Sequence, residues 1–336
     1  MVAVLLFNEF NSKRVLDFAD IEPVEPGPGE VRYRVEAFSL NRADLLYLNG
    51  EHYSTARLPS RIGLEACGVV DAIGIGVTKF AAGDRVASIP FNNLSTTDCN
   101  VAGEYAITPE TYLMRVPKNL TSEEASAITM QYLTAYFPLV EIAKMKTGDN
   151  ILVTGASSSA GLGAIQIAKS LGVTVIAQTR TGEKSAAIRK AGADYVIASD
   201  NEKLAEKIIE YTKGSGVNVA YDPISSDFVD TYMDAMSFGS LVFLYGTQRG
   251  PKITFDLVQA VRRHAIIHPY SLYNHVNDHA ALDRGVNWLT NSITSGKFKP
   301  IIDTVFPWTR ALESFDYMQE NRHVGKIVVT MPRIQN

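Results

Sequence analysis

The sequence predicts an α/β fold in two parts: a mainly β segment up to about Leu120 and, from about Asn150, a doubly wound parallel sheet. Three observations point there. The run Ile151–Thr154 is apolar and partly β-branched and stops at Gly155; Leu162, Ile165, Ile167, Ala168 and Leu171 then recur at helical spacing as far as Gly172, and a second apolar run, Val173–Ala177, follows at once. Strand, turn, helix and strand make a βαβ unit, whose two strands lie parallel. Beyond it, strand candidates at Asp194–Ala198, Val217–Tyr221, Ser240–Tyr245 and Ala265–His268 alternate with helical stretches, whereas the earlier strands are separated only by turn residues.

In chain order, Pro23, Pro26, Gly27, Pro28 and Gly29 punctuate the first loop. Val31–Ala37 alternates, Gly68–Ile73 is apolar, and Gly83 and Asp84 precede the run Arg85–Ile89. Thr121 and Ser122 ahead of Glu123 and Glu124 mark a helix start, and Ala125–Ala143 carries an apolar periodicity. His279–Lys297 is again helical, and Lys326–Thr330 is a last strand.

A chain of 336 residues with 46% hydrophobic and 20% charged residues suits about two globular domains. The net charge of −4 provides no electrostatic reason for nucleic acid or an anionic membrane as partner. Two cysteines, Cys67 and Cys99, cannot build a disulfide framework or a four-cysteine zinc lobe within one chain, so a cytoplasmic setting is expected. Val2–Phe7 is too short for a signal-peptide core, and no stretch has the length of a membrane span.

The turn after Ile151–Thr154 departs from G-x-G-x-x-G: Ala156, Ser158 and Gly161 hold the three glycine positions. Small residues still admit a pyrophosphate, and a helix beginning near Ser159 offers unpaired N–H groups and a positive dipole end. The cofactor candidates are therefore Ala156, Ser157, Ser158, Ser159, Ala160 and Gly161, the alternative being a serine-rich N-cap on an ordinary helix. At the end of the second strand, where an NAD site has an acid for the ribose, stand Gln178, Thr179 and Arg180, with Lys184 one turn on. Two cations and no acid suit the 2′-phosphate of NADPH; the alternative is a solvated basic helix start, with its charge at the wrong end of the dipole.

Several motifs, in order along nearly the whole chain, carry a family resemblance: Asn41-Arg42-Ala43-Asp44, Gly63-Leu64-Glu65-Ala66-Cys67-Gly68-Val69-Val70, Ala81-Ala82-Gly83-Asp84-Arg85-Val86, Leu133-Thr134-Ala135, Ala191-Gly192-Ala193-Asp194 and Gly325-Lys326-Ile327-Val328. Together they resemble the medium-chain dehydrogenase/reductase superfamily, in its zinc-free quinone oxidoreductase and enoyl reductase branch. The resemblance implies a GroES-like catalytic domain made from residues 1–124 and 272–336, and a Rossmann NADP-binding domain of residues 125–271 inserted between them. It adds Thr134 and Gly246 to the cofactor candidates. It also implies a homodimer, with the edge strand Ala265–His268 paired across a two-fold axis and the segment Lys252–Phe255 contributing.

Zinc-dependent members resemble G-H-E-x-x-G where this chain has Leu64 in place of the His; Asn41 and Met130 stand at the other two ligand positions, so no metal is expected. His275 and His279, four residues apart, are solvated residues more often than ligands. Without a Lewis acid, the expected reaction is hydride transfer from NADPH to a quinone or an α,β-unsaturated carbonyl compound, whose displaced charge reaches a remote oxygen. By the resemblance, Asn41 bonds that oxygen, and Tyr53 delivers the proton; His52 competes because it holds the strict family position. Tyr53 can equally be an aromatic that only lines a cleft. Asp44 and Asp222 are expected to orient backbone, and Cys67 to be a buried, inert thiol. Other readings are an enoyl-thioester reductase and a dinucleotide-binding sensor without turnover. A short-chain dehydrogenase, suggested by Thr154-Gly155-Ala156-Ser157, fails for want of a Tyr-x-x-x-Lys after the βαβ units.

Overall fold

The computed structural model describes residues 1–10, 16–52, 54–91 and 100–332. The chain divides into two compact units, Met1–Met130 with Val276–Asn336, and Gln131–His275. Strands β1 (Val2–Phe7), β2 (Leu16–Ile21), β3 (Glu30–Ser39), β4 (Ser60–Arg61), β5 (Glu65–Ile73), β6 (Arg85–Ser88), β7 (Tyr105–Pro109) and β8 (Leu113–Arg115) belong to the first unit. The second holds β9 (Asn150–Val153), β10 (Thr174–Thr179), β11 (Tyr195–Ala198), β12 (Val217–Asp222), β13 (Met236–Leu244) and β14 (Ile266–Pro269). The chain then returns to the first unit with β15 (Ile302–Pro307) and β16 (Lys326–Thr330).

In the first unit, a small sheet of order β2-β1-β4 accompanies a larger one of order β15-β16-β3-β5-β6-β8, with β7 also paired to β3. The alternation read in β3 buries Val31, Tyr33, Val35 and Ala37 in the core. Strand β16 pairs antiparallel with β3, Val328 opposite Ser39. Both ends of the chain therefore share one core, in which Tyr33, Phe38, Trp308, Phe315 and Val329 are buried. This is the GroES-like part of the fold.

The second unit has a wholly parallel sheet of order β11-β10-β9-β12-β13-β14. Successive strands run outward from β9 on one side and from β12 on the other, which is the doubly wound Rossmann arrangement. The order reverses between β9 and β12, and ligands of such sheets bind there, outside the carboxyl ends of the strands. Leu152, Ile176, Val217, Ala220 and Val242 fill one core of this unit.

Three details differ from the sequence expectation. The helical stretch Ala125–Ala143 is broken into Ser122–Ala125, Thr129–Tyr136 and a π-helical turn, Phe137–Ile142. Pro138 lies in that turn, and a residue without an N–H interrupts the regular ladder. Strand β13 starts at Met236 rather than Ser240; Gly239, at φ 73°, and a register shift against Val217–Val219 mask its periodicity. Strand β14 lies one residue later than the candidate Ala265–His268, with Pro269 as its last residue, opposite Leu244.

Strand β14 is one of the two outer strands of the sheet, β11 being the other. Its Ile266 is 51% exposed, and Leu257, Val258 and Val261 of the preceding helix Leu257–Arg263 are 67, 57 and 69% exposed. Among the described residues, no helix is long and apolar enough to cross a membrane.

Candidate active site

The turn after β9 begins the site in the second unit. Gly155 adopts φ 54°, and its N–H donates to the Gln178 side-chain carbonyl at 3.1 Å, while Ala156 N–H donates to the Gln178 backbone carbonyl at 3.0 Å. Gln178, 2% exposed, also donates from Nε2 to Ser199 Oγ at 2.8 Å, tying the turn to the ends of β10 and β11. In the sequence Gln178 stands out only as a missing acid; its amide instead holds the turn's backbone in place.

The helix Ser159–Ser170 starts where expected, with Ser158 as N-cap. Ser158 Oγ accepts from Gly161 N at 3.1 Å, so its oxygen is committed to the cap. Gly161 is the one fingerprint glycine that remains, for a steric reason: a Cβ there would lie 2.9 Å from Ala156 Cα. Ser157, Ser159 and Ala160 follow the same tight path and stand partly exposed at the positive end of the helix dipole.

At the end of β10, Thr179 is buried and Arg180 is exposed. The Arg180 guanidinium has no ion-pair partner among the described residues, although its backbone carbonyl accepts from Asp200 N at 3.1 Å. Lys184 is the N-cap of the helix Ser185–Lys190, where a cation opposes the helix dipole. Thr134, 8% exposed, lies on Thr129–Tyr136.

Asp222, at the carboxyl end of β12, is wholly buried and fully used. Its Oδ1 accepts from Thr154 Oγ1 at 2.6 Å, Ile224 N at 2.7 Å and Ser225 N at 3.2 Å, and its Oδ2 accepts from Tyr232 Oη at 2.8 Å. It orients the backbone after β12 and holds it to the end of β9. Gly246, after β13, passes so close that a Cβ would lie 2.6 Å from the Pro223 carbonyl oxygen.

The first unit carries a buried polar cluster. Glu65 is 1% exposed and Lys326 is fully buried, and Lys326 Nζ donates to Glu65 Oε1. Nζ also donates to Asn41 Oδ1 at 2.7 Å and to Ser39 Oγ at 3.2 Å, using all three of its hydrogens. Glu65 Oε1 accepts further from Ser39 Oγ at 2.8 Å and Asn41 Nδ2 at 3.2 Å, and Oε2 accepts from Thr129 Oγ1 and Met130 N, both at 2.9 Å. A buried ion pair is tolerated only when its remaining polar capacity is satisfied in this way.

Zinc does not fit these residues. Leu64 has no donor atom, the Asn41 amide is held by Lys326 and Glu65, and the Glu65 carboxylate is surrounded by hydrogen-bond donors. Among the described residues, no three His, Cys, Asp or Glu side chains are grouped to hold a metal ion.

Asn41 N-caps the helix Arg42–Leu48: its own N–H donates to Asp44 Oδ2 at 2.7 Å, and its carbonyl accepts from Asp44 N at 2.9 Å. Burial pushes the Asp44 carboxyl up to about 7, against the opposing pull of the Asn41 hydrogen bond and the Lys326 charge. His52 follows this helix, edge-on to Tyr47 at 6.1 Å, and its Nδ1 accepts from Ser54 N at 3.2 Å. A neutral imidazole bonded in this way carries its proton on Nε2, and burial holds its pKa below the usual histidine value. Cys67 is buried, its thiol pushed by burial up to about 12, as an inert side chain requires. Tyr53 and Cys99 lie outside the described residues.

Comparisons with known proteins agree with this architecture. The family model described as an alcohol dehydrogenase GroES-like domain matches residues 27–118, and the one described as a zinc-binding dehydrogenase matches residues 160–287. A quinone oxidoreductase of Pseudomonas aeruginosa is 34% identical over 251 residues, covering 75% of each chain. A 2-haloacrylate reductase of a Burkholderia species is 28% identical over 316 residues, covering 92% of this chain and 93% of the relative. The solved structure of Escherichia coli quinone oxidoreductase complexed with NADPH superposes with a TM-score of 0.88 at 25% identity, over 98% of this chain and 99% of that one.

Proposed function

The chain belongs to the medium-chain dehydrogenase/reductase superfamily, in its quinone oxidoreductase-like branch, and we propose that it is a zinc-independent oxidoreductase that reduces quinones or α,β-unsaturated carbonyl compounds with NADPH. The observation that carries this reading is the buried Glu65–Lys326 pair, which engages the side chain of Asn41, one of the three ligand positions of the zinc-dependent relatives. The 2-haloacrylate reductase and quinone oxidoreductase relatives favour an activated acceptor as substrate.

When bound, NADPH supplies the hydride. Ser157, Ser159 and Ala160 would hold the pyrophosphate by backbone N–H groups, with the Ser157 and Ser159 hydroxyls adding bonds; Ala156, Ser158 and Gly161, whose N–H groups are used within the turn and cap, would keep the backbone close to it, while Arg180, Lys184 and Thr179 would hold the 2′-phosphate. Thr134 and Gly246 contribute to the same binding site. An activated acceptor leaves its new charge on an oxygen away from the reduced carbon, where a neutral donor is enough. Asn41 is that donor: one amide hydrogen goes to Glu65, and Lys326 fixes which way the amide faces. The proton comes from Tyr53 or from His52, whose Nε2 carries one.

Residues 1–124 with 272–336 form the catalytic domain and 125–271 the cofactor domain, and the apolar surface along β14 serves a homodimer. Anaerobic NADPH oxidation against a panel of quinones, enals, enoyl thioesters and simple alcohols tests the reading. Turnover of the quinones or enals after exhaustive chelation supports it; activity confined to simple alcohols and lost with a chelator would overturn it.

A further inference from the structure

Ser225 occupies a backbone conformation that is nearly reserved for glycine, with φ 57° and ψ −154°. Its neighbour Ser226 also has a positive φ, 58°. Holding a serine in that conformation costs free energy, which contacts of its side chain can offset. Ser225 is 6% exposed, and its Oγ donates to the Gly246 carbonyl oxygen at 2.7 Å. No comparable bond is made by the Ser226 hydroxyl among the described residues.

The bond is a buried side-chain link between two loops that are also joined by backbone bonds and, at the surface, by Arg249, which pairs with Asp227 at 3.3 Å and lies over the Phe228 ring. Asp222 Oδ1 bends the chain back after β12 by accepting from Ile224 N and Ser225 N. The loop after β13 lies alongside, with Gln248 N donating to Pro223 O at 3.2 Å and Arg249 N to Ile224 O at 3.1 Å. Both loops stand at the carboxyl ends of β12 and β13, on the far side of the order reversal from the fingerprint turn. In a doubly wound sheet, that side receives the second mononucleotide half of a dinucleotide.

We propose that Ser225 is a positioning residue for cofactor binding: its hydroxyl tethers the Gly246 carbonyl and so sets the backbone of the loop that receives the nicotinamide half. This rests on the NADPH-dependent function proposed above. The strained φ follows from the tether, because glycine would relax the turn but would have no hydroxyl to offer.

Two substitutions separate strain from tether. Ser225→Ala keeps the strained backbone and removes the bond; Ser225→Gly removes both. At ordinary positions glycine is the less stable of the two, whereas here Ser225→Gly should melt above Ser225→Ala by roughly 2–4 °C. Both variants should bind NADPH about three- to tenfold more weakly in direct titration. KM for NADPH should rise with it, while kcat and KM for the acceptor stay as in the wild type. In the free protein, the amides of Gln248 and Arg249 should exchange faster in both variants. Ser226→Gly, which relaxes a positive φ without touching the tether, should leave affinity and exchange unchanged. Wild-type affinity together with wild-type exchange in both Ser225 variants would overturn the proposal. A wild-type protein that binds no NADPH would overturn the functional reading instead, and the exchange rates would still judge the tether.

Discussion

Lys326 Nζ is buried against the carboxylate of Glu65, 261 residues away along the chain, with neither side chain more than 1% exposed. Removing one partner strands the other charge in the core. Lys326→Met should therefore destabilise the protein by about 3–5 kcal/mol, and the Glu65→Gln/Lys326→Met pair should recover most of that loss. Urea unfolding midpoints measure both, and a single variant as stable as the wild type would show that the pair carries no such weight.

Asp44 has a folded-state pKa raised to about 7 from an ordinary value of 3.8. Between those values the folded protein holds a proton that the unfolded chain has lost, so this group stabilises the fold fully below about pH 4. That contribution falls as pH rises to about 7, by at most about 1.4 kcal/mol per pH unit, and is gone above it. Asp44→Asn keeps an acceptor for the Asn41 N–H and cannot ionise. The variant should exceed the wild type in stability at pH 8, with the gap closing by pH 5; parallel stability curves would rule the assignment out.

Arg180 is exposed at the end of β10 and has no ion-pair partner among the described residues. Charge-assisted bonds to a phosphate contribute about 1.5–3 kcal/mol, so NADPH should bind tenfold or more tightly than NADH. Arg180→Ala should remove most of that preference and leave NADH affinity unchanged. Fluorescence titration of both cofactors reads it, and equal dissociation constants in the wild type would refute it.

The exposed Leu257, Val258, Val261 and Ile266 beside the edge strand lead to an expected mass near twice 36.8 kDa. Ile266→Asp should halve it by placing a charge on the pairing edge. Light scattering at micromolar concentration decides, and a wild-type monomer would count against the dimer.

If Tyr53 delivers the proton, Tyr53→Phe should lower enone turnover by roughly 10²–10⁴ and spare NADPH affinity. Quinone turnover should change less, because the reduced product collects its proton from water. If the defect appears in His52→Gln instead, the imidazole is the donor.

What could be read from the chain alone was what is local in it. Ile151–Thr154 and the helical spacing from Leu162 to Leu171 state their own secondary structure, and the Ser158 cap and the missing acid before Arg180 lie within one βαβ unit. The motif order implied a catalytic part made from both chain ends, and β16 pairing with β3 is the contact that joins those ends. Other roles depend on contacts that no spacing encodes. Asn41, Glu65, Thr129 and Lys326 become one cluster only when β16 closes on β3; until then Lys326 is one lysine among many. Gln178 acts through the amide it offers Gly155, and Ser225 through a carbonyl 21 residues on. Pairing across such distances is decided by tertiary structure, because burial selects which polar groups must satisfy one another.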